Sequence, residues 1–151
     1  MDAKKTINKM LVYTFHQILE LEEKAIITEE FKDISNNDMH IIEAIGLGKG
    51  KRMSAIAREL KITVGSLTTS MNSLVYKGYV ARERSQTDRR VVNVYLLDKG
   101  IAAYKHHEKF HDEMTEALMS QFTEEELAVW VKALDTLTDF FESQNDIHNK
   151  K

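Results

Sequence analysis

The sequence predicts a mainly α-helical protein with one small β-hairpin, and three observations carry that prediction. Two short helical patterns run straight into a hairpin pattern between residues 53 and 100. One long apolar-periodic stretch precedes them and two more follow. The net charge of −3 hides a division, because residues 49 to 100 hold 11 Lys/Arg against 4 Asp/Glu, a net of +7, and the rest hold 10 against 20, a net of −10. A basic segment on an acidic body is the charge distribution of a phosphate-binding surface.

Taken in order, residues 3 to 29 carry Ile7, Leu11, Phe15, Ile18, Ala25 and Ile26 on one stripe. At 1.5 Å per residue they predict a helix of roughly 40 Å. Met53 to Leu60 place Ile56, Ala57 and Leu60 on one face of a short helix. Thr63 then stands where an N-cap belongs, and Val64, Leu67, Met71, Leu74 and Val75 recur at 3.6-residue spacing until Lys77-Gly78 ends the helix. The opposite face, Gly65, Ser66, Thr68, Thr69, Ser70, Asn72 and Ser73, lacks the long charged side chains of a solvated helix. Short hydroxyls and amides suit a helix whose backbone approaches phosphates and base edges. The alternative is a Ser/Thr-rich amphipathic helix with no ligand.

Val80 to Arg84 and Val91 to Leu96 alternate as paired strands, joined by the turn residues Ser85-Gln86-Thr87-Asp88. Arg82, Arg84, Arg89 and Arg90 crowd this hairpin. Helix, helix and basic hairpin in this order predict a winged helix-turn-helix. Residues 98 to 121 predict a further helix with Asp98 as its cap. Thr123-Glu124-Glu125-Glu126 is a capping box opening the last helix, which carries Leu127, Trp130, Val131, Leu134, Leu137, Phe140 and Phe141.

The 151 residues contain no Pro and no Cys, which removes disulfides and thiol redox sensing. No apolar run is long enough to span a membrane, and Asn8, Thr14, His16 and Gln17 interrupt the N-terminal apolar residues, so neither a membrane span nor a signal peptide is expected and the protein is expected in the cytoplasm. One domain is expected over 1–151, with 36–100 the winged helix-turn-helix and 1–35 plus 101–145 a helical dimerisation region. The tail from Asn145 to Lys151 is polar and expected to fray.

The run from Asp88 through Arg90, Val94 and Leu96 to Gly100, set between one long helix and two later ones, resembles the wing signature of the MarR family of bacterial repressors. The resemblance covers nearly the whole chain; where the family usually places a Thr after the last wing strand, this chain has Leu97. It implies a homodimer interlocked through the first and last two helices, with recognition helices roughly 34 Å apart on a palindromic operator in double-stranded DNA. It implies that Arg90 enters the minor groove, that Asp88 holds it in position and that Arg89 favours phosphates. With the residues read above, the expected DNA-binding set is Thr63, Gly65, Ser66, Thr68, Thr69, Asn72, Arg82, Arg84, Asp88, Arg89 and Arg90.

Within the family, Phe31-Lys32-Asp33-Ile34-Ser35, Asp38-Met39-His40, Thr68-Thr69-Ser70, Lys77-Gly78-Tyr79 and Asp88-Arg89-Arg90-Val91-Val92 resemble the fatty-acid-biosynthesis repressors of Firmicutes. That resemblance implies long-chain acyl-acyl carrier protein as co-repressor, its chain lying in an apolar tunnel. Leu11, Phe15, Ile18, Met39, Ile42, Tyr104, Phe110 and Met114 are the candidate lining, and ordinary core is the alternative for each. No resident cofactor is expected.

Glu22, His40, His107 and His111 are polar residues on apolar faces of three helices and offer four ligands suited to zinc. They match the principal site of the family's zinc-responsive uptake repressor. That repressor's second site does not carry over, since its ligands fall on Thr28, Met39 and His106. The competing reading is a buried Glu-His network. His107-Glu108-Lys109-Phe110-His111 also matches the H-E-x-x-H motif of zinc peptidases. Such an enzyme needs an open coordination position beside a substrate cleft, and no edge strand is in sight to hold a peptide. A helical protein-binding adaptor is a third class, opposed by the basic hairpin. The sequence is therefore read as a regulator and not an enzyme.

Overall fold

The computed structural model describes residues 2–26, 28 and 30–148, with side chains described through 145. They fall into two compact units, residues 1–110 and 111–151, divided within one helix.

The first unit opens with α1 (Ala3–Lys9), a π-helical turn (Met10–Thr14) and α2 (Phe15–Ile26), which follow one another without leaving right-handed helical geometry. Two features differ from the expected helix over 3–29. The described helix reaches Ile26, and Thr28 is not helical and donates its N–H to the Ile26 carbonyl; residues 27 and 29 lie outside the described residues. The π turn widens the i→i+4 ladder and rotates everything after it, so Ile7 and Leu11 do not continue as one α-helical stripe into Phe15 and Ile18. All four are exposed, whereas Glu22 and Ile26 at the end of α2 are buried.

α3 (Asn36–Ile45) starts at a reciprocal capping box: Ser35 Oγ accepts the Asp38 N–H and the Asp38 carboxylate accepts the Ser35 N–H. β1 (Lys51–Arg52) then leads directly into α4 (Met53–Glu59), α5 (Val64–Tyr76), β2 (Val80–Arg84) and β3 (Val92–Leu96). The sheet is antiparallel in the order β1-β3-β2, with Arg52 opposite Asn93, and Arg82 and Arg84 opposite Val94 and Val92. β1 was not expected. Two residues carry no alternation, and the strand exists because Gly50, at φ +82°, brings the chain so near Val94 that a Cβ there would lie 2.1 Å from its carbonyl oxygen.

The core beneath α5 is closed by Ile42, Ile56, Leu67, Met71, Leu74 and Val94, each 0% exposed. Leu67, Met71 and Leu74 therefore bury the face that the period assigned to them. Val64, expected on the same face, is 49% exposed because it is the first helical residue and projects beyond the core.

α6 (Asp98–Met119) begins one residue earlier than a cap at Asp98 requires: the Leu97 carbonyl accepts the Ile101 N–H, and Asp98 is already helical. In the second unit, α6 ends at Met119 and α7 (Glu124–His148) begins at the expected capping box, in which Glu126 accepts the Thr123 N–H at 2.9 Å. Asn145 to His148 are still helical, and residues 149–151 lie outside the described residues. Among its described side chains α7 buries none: Val131, Leu134, Phe140 and Phe141 are all exposed.

Candidate nucleic-acid interface

The outer face of α5 is held rigidly by its two ends. Thr63 caps the N-terminus, its Oγ1 accepting the Ser66 N–H at 3.1 Å. At the other end Gly78, at φ +80°, forms a Schellman close in which the Tyr79 N–H reaches the Leu74 carbonyl and the Gly78 N–H the Val75 carbonyl. The buried Tyr79 donates its hydroxyl to Asp33, and Lys99 bonds Asp33 at 3.1 Å and the Lys77 carbonyl at 3.3 Å while lying over the Tyr79 ring. Burial, then the Asp33 carboxylate, push the Tyr79 hydroxyl far above its usual range, so it remains a donor. The Tyr79 bond, assisted by Lys99, holds the Asp33 carboxyl below its ordinary 3.8. Lys77 pairs with Asp38 at 3.3 Å, tying the same end to α3.

On this frame Thr63, Gly65, Ser66, Thr69 and Asn72 are exposed and Thr68 is half-buried. The hydroxyls of Thr68 and Thr69 donate back to the carbonyls of Val64 and Gly65. With its proton engaged, a Thr presents an acceptor and a methyl group, which suits an amino-bearing base edge or a thymine methyl better than a phosphate.

The wing tip is a closed turn. Ser85 and Val91 pair through the Ser85 N–H, Asp88 donates its N–H to Ser85 Oγ, and the Asp88 carboxylate accepts the Arg90 N–H at 3.0 Å. Asp88 thus positions Arg90 through the backbone, leaving the guanidinium outside the turn. Arg82, Arg84, Arg89 and Arg90 are all exposed. Between the start of α5 and the wing lies a cleft of about 500 Å³ lined by Arg52, Ser54, Val64, Thr68, Arg82, Arg84 and Arg90, with Met53, Val91 and Val92. Arg52 and Ser54 were missed from sequence. Their only sequence signal is local basicity, since it takes the pairing of β1 with β3 to bring them to the wing.

The other expected sets are placed less simply. Of the candidate acyl lining, Met39 and Ile42 are core, Leu11, Phe15 and Ile18 are exposed, Tyr104 and Phe110 are half-buried, and Met114 belongs to the second unit. A cavity of about 1020 Å³ beside α1 has Leu11 in its wall and none of the other seven. Of the polar set, Glu22 and His107 are buried and meet, Oε1 to Nε2 at 3.4 Å. Glu43, which sequence reading did not select, lies 3.7 Å from His107 and 3.7 Å from His40. The His40 and His107 rings are 6.4 Å apart edge to face. His111, the fourth member expected, follows His107 by one turn along α6 and falls in the second unit. In the H-E-x-x-H run, His107 is buried and Glu108 points to solvent. His106 bonds the Ala25 carbonyl at 2.9 Å.

A short helix, a firmly capped second helix with a small polar outer face, and a basic wing with an arginine-lined cleft between them define a winged-helix DNA-binding protein. Residues 32–91 match the model of the MarR family. Over 93% of this chain and 98% of the other, the protein is 40% identical to Streptococcus pneumoniae FabT in a crystal structure with DNA, with a TM-score of 0.87. It is 25% identical to MepR of S. aureus in a DNA complex, over 87% of this chain and 96% of that one, with a TM-score of 0.67. The uncharacterized HTH-type regulator YpoP of Bacillus subtilis is 26% identical over 109 residues, 70% of this chain and 75% of that protein. The chain belongs to the MarR family and is a winged-helix transcriptional regulator. No helix among the described residues is long and apolar enough to cross a membrane.

Proposed function

We propose that the protein is a cytoplasmic, dimeric repressor of fatty-acid biosynthesis genes with long-chain acyl-acyl carrier protein as co-repressor. The observation that carries the reading is 40% identity to pneumococcal FabT, itself seen on DNA, along nearly the full length of both chains. Two of the five stretches that resemble fatty-acid repressors, Phe31–Ser35 and Lys77–Tyr79, are joined by the hydrogen bond of Tyr79 to Asp33, which Lys99 also bonds. Dimerisation is supported by α7, which buries none of its described side chains and leaves Val131, Leu134, Phe140 and Phe141 exposed, and by the exposed Ile7, Leu11, Phe15 and Ile18. Apolar surface on that scale calls for a partner, and a second copy supplies the two reading heads that a palindromic operator needs.

In this reading the acylated carrier binds more tightly to dimers whose recognition helices match the groove spacing, and so shifts the population toward them. Fluorescence anisotropy of metal-free protein on DNA from a fatty-acid synthesis promoter tests it. Tighter binding with long-chain acyl-acyl carrier protein supports the co-repressor, and unchanged binding removes it. A second reading, zinc as effector, is favoured by the buried contact of Glu22 with His107. Zinc replacing the carrier in the same titration decides between them.

A further inference from the structure

We propose that the cleft between α5 and the wing seats one phosphodiester of the DNA backbone and that Arg52 is a phosphate-contacting residue of that seat. The proposal rests on the DNA-binding reading and adds to it a place and a residue that the helix and the wing motif do not supply.

Four guanidinium-bearing residues, Arg52, Arg82, Arg84 and Arg90, reach this cleft of about 500 Å³ from two strands and the wing tip, and no Asp or Glu lines it. Among the described residues none of the four forms an ion pair. Lys51, Lys77 and Lys99 nearby each have one, with Glu59, Asp38 and Asp33. Lys51, Lys77 and Lys99 are thereby neutralised, and the arginines of the cleft are left uncompensated. Arginine forks match the oxygens of a phosphate, and gathering four like charges raises the affinity for an anion that enters.

The position of the cleft identifies which anion. A recognition helix occupies the major groove and a wing tip the adjacent minor groove, and what separates two adjacent grooves is a sugar-phosphate strand. That strand must pass between α5 and the wing. The cleft exceeds the volume of a phosphate alone, and its apolar wall at Val64 and Val92 suits the deoxyribose. Val64 thereby gains a reason for being exposed at the start of the helix. Ser54 supplies a hydroxyl, while Thr68 has its proton on the Val64 carbonyl. Arg52 sits on β1, outside the recognition helix, so its contact adds affinity without reading sequence.

The experiment is DNA binding by the full chain as wild type, Arg52→Ala and Arg52→Lys, on a promoter duplex and on a scrambled duplex, from about 50 to about 300 mM KCl. Arg52→Ala is expected to bind both duplexes about 5-fold to 10-fold more weakly at the low-salt end. Its slope of log K against log salt should be shallower by about one, and Arg52→Lys should restore that slope. Melting temperatures matching wild type exclude misfolding as the cause of a loss, and Arg52→Gln, which keeps much of the stem and removes the charge, carries the test if Arg52→Ala is unstable. Wild-type affinity and slope in Arg52→Ala would overturn the proposal, as would a loss confined to the promoter duplex. Wild-type protein that binds neither duplex would overturn the DNA reading as well.

Discussion

The Asp88 carboxylate accepts the backbone N–H of Arg90 at 3.0 Å, so an acidic residue fixes the tip of a wing that must approach a polyanion. Charge and geometry pull in opposite directions here, which makes the residue diagnostic. Asp88→Ala removes a negative charge, and electrostatics alone would strengthen DNA binding. If the turn matters more, Asp88→Ala weakens binding about 3-fold or more, because Arg90 loses its fixed approach. Anisotropy on duplex DNA reads the sign directly.

Tyr79 and Asp33 connect the end of α5 to the segment before α3. Tyr79→Phe removes a buried donor to a charged acceptor and should cost about 1–3 kcal/mol in urea or thermal unfolding. Asp33 has its carboxyl held below 3.8 in the folded state, chiefly by Tyr79. A depressed folded value contributes stability above the unfolded value and loses it as pH falls through the folded one. The stability difference between wild type and Asp33→Asn should therefore be level above about pH 5 and shrink below about pH 4.

Gly100 is buried on α6, and a Cβ there would lie 2.2 Å from the Tyr79 carbonyl oxygen, the atom that accepts the Leu97 N–H at 2.9 Å. Gly100→Ala should destabilise by about 2–3 kcal/mol although alanine favours helices, since backbone must move to admit it. A variant as stable as wild type in denaturant would show the close approach to be unimportant.

Phe140 and Phe141 are exposed on α7 with their rings 5.4 Å apart. If a second copy covers them, Phe140→Glu buries a charge in that interface and should yield monomers in sedimentation, with DNA affinity falling at least 10-fold. Unaltered dimers would place the interface elsewhere.

The parts of this protein that were legible in sequence are those whose signal is local. Thr63, the spacing of Leu67, Met71 and Leu74, and Lys77-Gly78 define α5 by cap, period and stop, and each is found in that role. The hairpin was legible from strand alternation around a polar turn. What stayed hidden depends on partners far along the chain. β1 is two residues that become a strand only against β3, and with it Arg52 joins the wing. Glu43 looks like a solvent-facing residue of α3 until His107 arrives from α6. The π turn at Met10–Thr14 uses residues equally compatible with an α-helix, so periodicity passed through it unbroken. The exposed stripes of α1, α2 and α7 are apolar in sequence for a reason that one chain does not display.

Footprinting of wild-type protein on DNA from a fatty-acid synthesis promoter tests the central claim, that α5 and the wing read DNA as a symmetric pair. Two protected half-sites centred about 10 base pairs apart, flanked by minor-groove protection that disappears in the Arg89→Ala plus Arg90→Ala variant, is the predicted pattern. A single unpaired protected stretch, or protection that survives loss of both arginines, would contradict it.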